Sequence, residues 1–164
     1  MFVERIYELC NPSASLEDVS ILLLKPGFDP NTATELEERV SSARLQVELK
    51  SKLTLPALAV VALYGHTTLQ PHISDAVYGL EWRNRMLDYM TSGESRAYLV
   101  AGNQAATKAR EIRDVMRASH GKVTIPTRTY SGNEFFNLVI KNVVHNPDKS
   151  ELLPTAWALD RVEN

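Results

Sequence analysis

The fold of this chain is indicated most clearly by Val19-Ser-Ile-Leu-Leu-Leu24, which is followed directly by Lys25-Pro26-Gly27. A short, continuous apolar run that ends sharply at Pro-Gly is typical of a buried strand. The residue that follows such a strand emerges at the edge of the sheet, and here that residue is Lys25. We therefore expect a buried strand over 19–24 that delivers a lysine to a sheet edge.

Three further segments are predicted to be strands of the same sheet. Residues 44–53 alternate apolar and polar side chains, and this period of two indicates a half-buried strand over Leu45–Leu53. Arg96–Ala101 is a second short apolar run, and Leu138–Val143 is the fourth candidate.

Helical segments alternate with these strands. Asn31–Val40 begins with capping residues and carries acids early, and Leu80–Met90 has helical propensity throughout. Asn103 is placed to cap a helix over Gln104–Arg117, while the polar residues 118–134 predict a long loop. The order of elements predicts an α+β fold, a ferredoxin-like sandwich with helices packed on a four-stranded antiparallel sheet.

The composition is that of a folded protein with one main domain. The chain has 164 residues, 44% of them hydrophobic and 23% charged, which excludes disorder as the main state. We expect an N-terminal extension over 1–18 and a domain over 19–164. The 18 basic and 20 acidic residues give a net charge of −2, which argues against a dedicated nucleic-acid surface.

The cellular context is predicted from what the sequence contains. No apolar run approaches the ~20 residues of a membrane helix, so we expect no membrane association. The single cysteine, Cys10, cannot form an internal disulfide. A reducing compartment is the simplest interpretation, and the expected location is the cytoplasm.

Three cationic side chains are candidates for binding phosphate. Lys25 at a strand end can reach a phosphate oxygen as a mobile point charge. Arg110 lies on a helix with a cationic side, and Arg128 stands among threonines in the long loop, a setting that suits bidentate phosphate binding. For each, the ordinary alternative is a solvated surface charge.

His145 is the candidate nucleophile. It follows an apolar stretch and precedes Asn-Pro-Asp, so a sharp turn there can expose one ring nitrogen. The alternative is a structural or surface histidine. The sequence has no Cys/His cluster with the spacing of a structural metal site, so no protein metal ligands are predicted.

Several segments together resemble the nucleoside diphosphate kinase family, from about Ser20 to Asp148. They are Ile21-Leu-Leu-Leu-Lys25-Pro26, Tyr89-Met-Thr-Ser92-Gly93, Lys108-Ala-Arg110 and Asn142-Val-Val-His145-Asn-Pro-Asp148. In the family the last motif is Asn-x-x-His followed by a small residue, Ser and Asp. The family's core is ferredoxin-like, in agreement with the order of elements.

The resemblance implies a function and a set of roles. Members transfer the γ-phosphate of a nucleoside triphosphate such as ATP to a nucleoside diphosphate through a phosphohistidine. Mg²⁺ accompanies the nucleotide, and members form homo-oligomers. Carried over, His145 is the nucleophile. The nucleotide-binding positions are Lys25, Tyr64, His72, Arg110, Arg128 and Asn142.

Departures from the family keep a second interpretation open. His72 stands where the family has the Phe that stacks on the base. Pro147, two residues after His145, stands where the family has Ser. The family's ring-orienting Glu is replaced by Ala156. The first alternative is therefore a phosphotransferase. The second is a catalytically weak or inactive protein of the same fold that binds nucleotide or a protein partner, and the third is a ferredoxin-like interaction module with no nucleotide role.

Overall fold

A computed structural model describes residues 1–11, 15–64, 82–120 and 143–162. Its four strands are β1 (Val19–Leu24), β2 (Gln46–Leu53), β3 (Ser95–Ala101) and β4 (Val144–His145). The α-helices within these ranges are α1 (Phe2–Cys10), α2 (Pro30–Ser42), α3 (Ala57–Tyr64), α4 (Trp82–Met90), α5 (Ala105–Ser119) and α6 (Leu152–Asp160). In these ranges no helix combines the length and the apolar character needed to cross a bilayer.

The four strands form one antiparallel sheet in the order β2-β3-β1-β4. β1 lies between β3 and β4, with Ile21 opposite Leu99 and Leu23 opposite His145. β2 pairs with β3 at the other side of the sheet. This is the predicted α+β, ferredoxin-like sandwich, and it places the end of β1 directly beside β4.

Every residue of β1 is buried because helices cover both faces of the sheet. Side chains alternate between the faces of a strand. Ile21 and Leu23 therefore pack with α1, α3, α4 and α6, whereas Leu22 and Leu24 pack with α2 and α5. The continuous apolar run is explained by these two helical layers, and the prediction of a buried strand is confirmed.

The N-terminal helix α1 packs into the same core as the strands. Phe2 and Ile6 are buried in the layer that contains α6. The carboxylate of Asp160, at the end of α6, accepts from the backbone N–H groups of Phe2 and Val3. Because the first N–H groups of a helix have no partner within it, this acid from the other end of the chain caps α1.

Three details differ from the sequence predictions. Helix α5 begins at Ala105 after Gln104, whose φ of 58° is left-handed, so Asn103 is not its cap. The helix also runs to Ser119, past the predicted end at Arg117. Helix α6, expected directly after a cap at Asp148, begins only at Leu152; its Pro154 lies in the first turn, where the missing N–H has no helical acceptor.

The predicted strand over Leu138–Val143 falls mainly on residues 138–142, outside the described part of the chain. The described fourth strand is the short β4 that follows it.

Candidate functional site at the end of strands β1 and β4

Pairing of β1 with β4 brings Lys25 and His145 together. Leu24 lies opposite Val144, and the backbone N–H of Lys25 donates to the carbonyl of Val143 at 3.0 Å. Lys25, directly after β1, is only 4% exposed. His145 as a whole is half-buried, and its Nε2 atom is inaccessible to solvent. Two residues far apart in the sequence therefore meet at one sheet edge.

The arginines of α5 lie along the same edge. Arg110, Arg113 and Arg117 are spaced by three and four residues, so they share one side of the helix. The Nε atom of Arg117 donates to the carbonyl of Val144 at 3.0 Å, and the Nη2 atom of Arg110 contacts the carboxylate of Asp148 at 3.2 Å. This cationic side therefore faces the segment around His145.

Burial and neighbouring charge change the protonation of both central residues. Burial, with the positive charges of Lys25, Arg117 and Arg113, lowers the pKa of His145 to about 3. Burial and the charge of Arg117 lower the pKa of Lys25 to about 7. At neutral pH the imidazole is uncharged, so its lone pair is available to attack an electrophile. An entering anion would stabilise the protonated form of Lys25.

Tyr89 supports the turn that follows β1. Its hydroxyl donates to the carbonyl of Pro26 at 2.9 Å, and burial raises the pKa of this hydroxyl to about 12. The turn continues through Gly27, whose φ of 80° favours glycine. The Tyr89-Met motif noted in the sequence thus stands in direct contact with the Lys25-Pro26 motif.

The structure brings together three of the seven residues that the sequence predicts for the site. Lys25, Arg110 and His145 flank the β1–β4 edge. Tyr64 ends α3, and its side chain is outside the described part of the chain. The other three predicted residues, His72, Arg128 and Asn142, also lie outside the described ranges.

Two residues at this edge were not predicted to have a role. In the sequence Arg117 is one of several basic residues on its helix, a pattern that usually indicates a solvated face. Asn146 was considered only as part of a turn, yet its side chain is buried and bonds to β1. Two sequence features point to these residues: Arg113 and Arg117 are four residues apart, and the pair Asn146-Pro147 comes directly after a strand.

Most of the chain is similar in structure to solved nucleoside diphosphate kinases. An NDP kinase from Pyrobaculum aerophilum has 19% sequence identity and a TM-score of 0.58, with 86% of this chain and 94% of that chain covered. The enzyme from Aquifex aeolicus has 16% identity and a TM-score of 0.62, with 87% and 94% covered.

A third neighbour is the nucleoside-diphosphate kinase from Borrelia burgdorferi, solved as a transition-state mimic with bound vanadate and ADP. It has 15% identity and a TM-score of 0.61, with 88% of each chain covered. No protein-family model matches the sequence, and no curated protein sequence matches it significantly. These similarities show that the chain has the nucleoside diphosphate kinase fold.

Proposed function

We propose that this protein is a divergent nucleoside diphosphate kinase-like phosphotransferase in which His145 carries the phosphoryl group. One observation carries the proposal. An uncharged, partly buried histidine lies beside Lys25 and the α5 arginines, in a chain with the fold of these kinases. Phosphoryl transfer requires positioning and neutralisation of charge, and this edge of the sheet offers both.

The proposed reaction has two steps. A ring nitrogen of His145 attacks the γ-phosphorus of a nucleoside triphosphate. The bond from phosphorus to the β,γ-bridging oxygen breaks, and the diphosphate leaves with that electron pair. A second nucleoside diphosphate then attacks the phosphohistidine and restores the ring. Because Nε2 is buried, we assign the attack to Nδ1.

Cations of this chain would hold the phosphates. Lys25 takes up a proton when the anion enters, and Arg110 and Arg117 add positive charge from α5. In this proposal Tyr64, His72, Arg128 and Asn142 keep the nucleotide-binding roles that the family resemblance implies.

Magnesium belongs to the nucleotide in this proposal. Among the described residues no group of three or more His, Cys, Asp or Glu side chains could hold a metal ion. Mg²⁺ bound to the phosphates of the nucleotide would neutralise part of their charge. Asp148 and Glu151, which lie just after His145, are the described acids nearest in sequence to it.

The test is phosphohistidine formation. We expect ATP labelled at the γ-phosphate, with Mg²⁺, to give an acid-labile, base-stable label on the protein, and the label to pass to an added nucleoside diphosphate. His145→Ala should abolish the label while ADP still binds. His120→Gln is the matched control, because His120 contacts Glu35 at 3.0 Å and lies outside the site. Labelling that persists in His145→Ala would refute the assignment.

A second candidate function is nucleotide binding without efficient turnover. It is favoured by Ala156, which is fully buried in the apolar core at the position of the family's ring-orienting Glu. An apolar side chain offers the buried ring no acceptor. Wild-type protein that binds ADP but acquires no label would favour this function.

A further inference from the structure

Strand β4 ends at His145, because Pro147, two residues later, cannot donate a backbone hydrogen bond to β1. The N–H of Lys25 donates to Val143, so alternate residues of β1 direct their backbone groups toward β4. Leu23 is the next such residue and lies opposite His145. Extending this register places Pro147 opposite Ile21. Proline has no N–H, so it cannot donate to the carbonyl of Ile21.

The side chain of Asn146 supplies the missing donor. Its Nδ2 atom donates to the carbonyl of Ile21 at 2.8 Å and to the hydroxyl of Ser20 at 2.9 Å. Asn146 is 6% exposed, Ser20 is 3% exposed and Ile21 is fully buried. A buried backbone carbonyl needs a donor, so this contact ties the residue after His145 firmly to the central strand.

The residue before His145 is also fixed. Val144 pairs with Leu24 in the sheet, and its carbonyl accepts from Nε of Arg117. The backbone of His145 is therefore held on both sides. The family's ring-orienting Glu is replaced here by Ala156, which is buried and apolar, so the anchored backbone on both sides of His145 gains importance for placing the ring.

We infer that Asn146 is a positioning residue, which holds His145 in line with the phosphate through its bonds to Ser20 and Ile21. This inference rests on the proposed function. Asn146 does not contact the nucleotide in this scheme, and it acts only through the backbone that it shares with His145.

The test uses Asn146→Asp at pH 8, where the carboxylate keeps the size of the amide but loses both donated protons. We expect the rate of phosphohistidine formation at saturating ATP to fall about 10- to 100-fold, as for a reacting group displaced by up to ~1 Å. ADP affinity should be unchanged, whereas a general loss of structure would weaken ADP binding as well. In ¹⁵N-histidine spectra the His145 ring signals should shift.

Two further variants complete the design. Ser20→Ala removes one of the two bonds, and we expect a smaller fall in rate, of about 2- to 10-fold. Asn103→Asp makes the same chemical change in an exposed turn and should leave the rate and the ring signals as in wild type.

Each outcome decides the inference. An Asn146→Asp protein with the wild-type rate and unshifted His145 signals would overturn it. If that variant does not fold, an unchanged rate and unshifted signals in Ser20→Ala would overturn it. If wild-type protein forms no phosphohistidine, the proposed function fails, and the ring signals of the variants alone decide whether Asn146 positions His145.

Discussion

Replacing Lys25 by methionine is expected to stabilise the nucleotide-free protein at low and neutral pH. Lys25 is 4% exposed, and its pKa is lowered from 10.5 to about 7 by burial and by the charge of Arg117. The unfolded chain therefore binds this proton more tightly than the folded protein does. Between about pH 7 and 10.5 the stability of wild type rises with pH, and below pH 7 the full penalty remains.

The pKa difference sets the magnitude. At 1.36 kcal/mol per pH unit, the gap between 10.5 and about 7 corresponds to at most about 5 kcal/mol of lost stability. Methionine has a similar length, and its different packing costs up to about 1.5 kcal/mol. We expect Lys25→Met to gain about 2–4 kcal/mol at pH 6. This corresponds to a rise in Tm of roughly 5–15 °C for a chain of this size.

Thermal unfolding at pH 6, 8 and 10 measures the effect. The advantage of Lys25→Met should shrink with pH, because the wild-type penalty falls below about 1 kcal/mol at pH 10. Lys52→Met is the control: Lys52 is exposed on β2, so its replacement should change stability by less than about 0.5 kcal/mol. An equal gain at pH 6 and pH 10, or a loss at pH 6, would refute this account of Lys25.

Three further predictions concern His145 and the cap of α1. With its pKa lowered to about 3, His145 should show no titration between pH 5 and 8 in ¹⁵N spectra, and a midpoint near 6.5 would contradict its burial among cations. The same shift means that His145 reduces stability as the pH falls from about 6.5 toward 3, because the unfolded chain then binds its proton first. Asp160→Ala should cost about 1–3 kcal/mol in urea unfolding, because it leaves the N–H groups of Phe2 and Val3 without their acceptor. Thr34→Ala, which alters an exposed side chain on α2, should cost less than about 0.5 kcal/mol, and equal losses in the two variants would exclude the cap as the cause.

Local sequence patterns were enough to predict three of the four strands and the helices α2, α4 and α5. Strands β1, β2 and β3 are each identified by the hydrophobic pattern of a short segment. The patterns are the apolar run over 19–24, the alternation over 46–53 and the apolar run that ends at Ala101. The order of the motifs that resemble nucleoside diphosphate kinases also predicted the fold of that family. The start of α6 at Leu152 is not indicated locally, because Asp148 suggests a cap for a helix that begins three residues earlier.

The composition of the site, in contrast, depends on tertiary packing. Which arginines of α5 face His145 depends on the rotation of this helix about its axis where it packs against β4. The sequence of the helix alone does not determine that rotation. The contact of Asn146 with the carbonyl of Ile21 depends on the register between β1 and β4, because a shift of one residue along β4 would move the Asn146 side chain away from that carbonyl. The lowered pKa of Lys25 likewise depends on burial and on the nearby charge of Arg117, neither of which follows from its place at a strand end in the sequence.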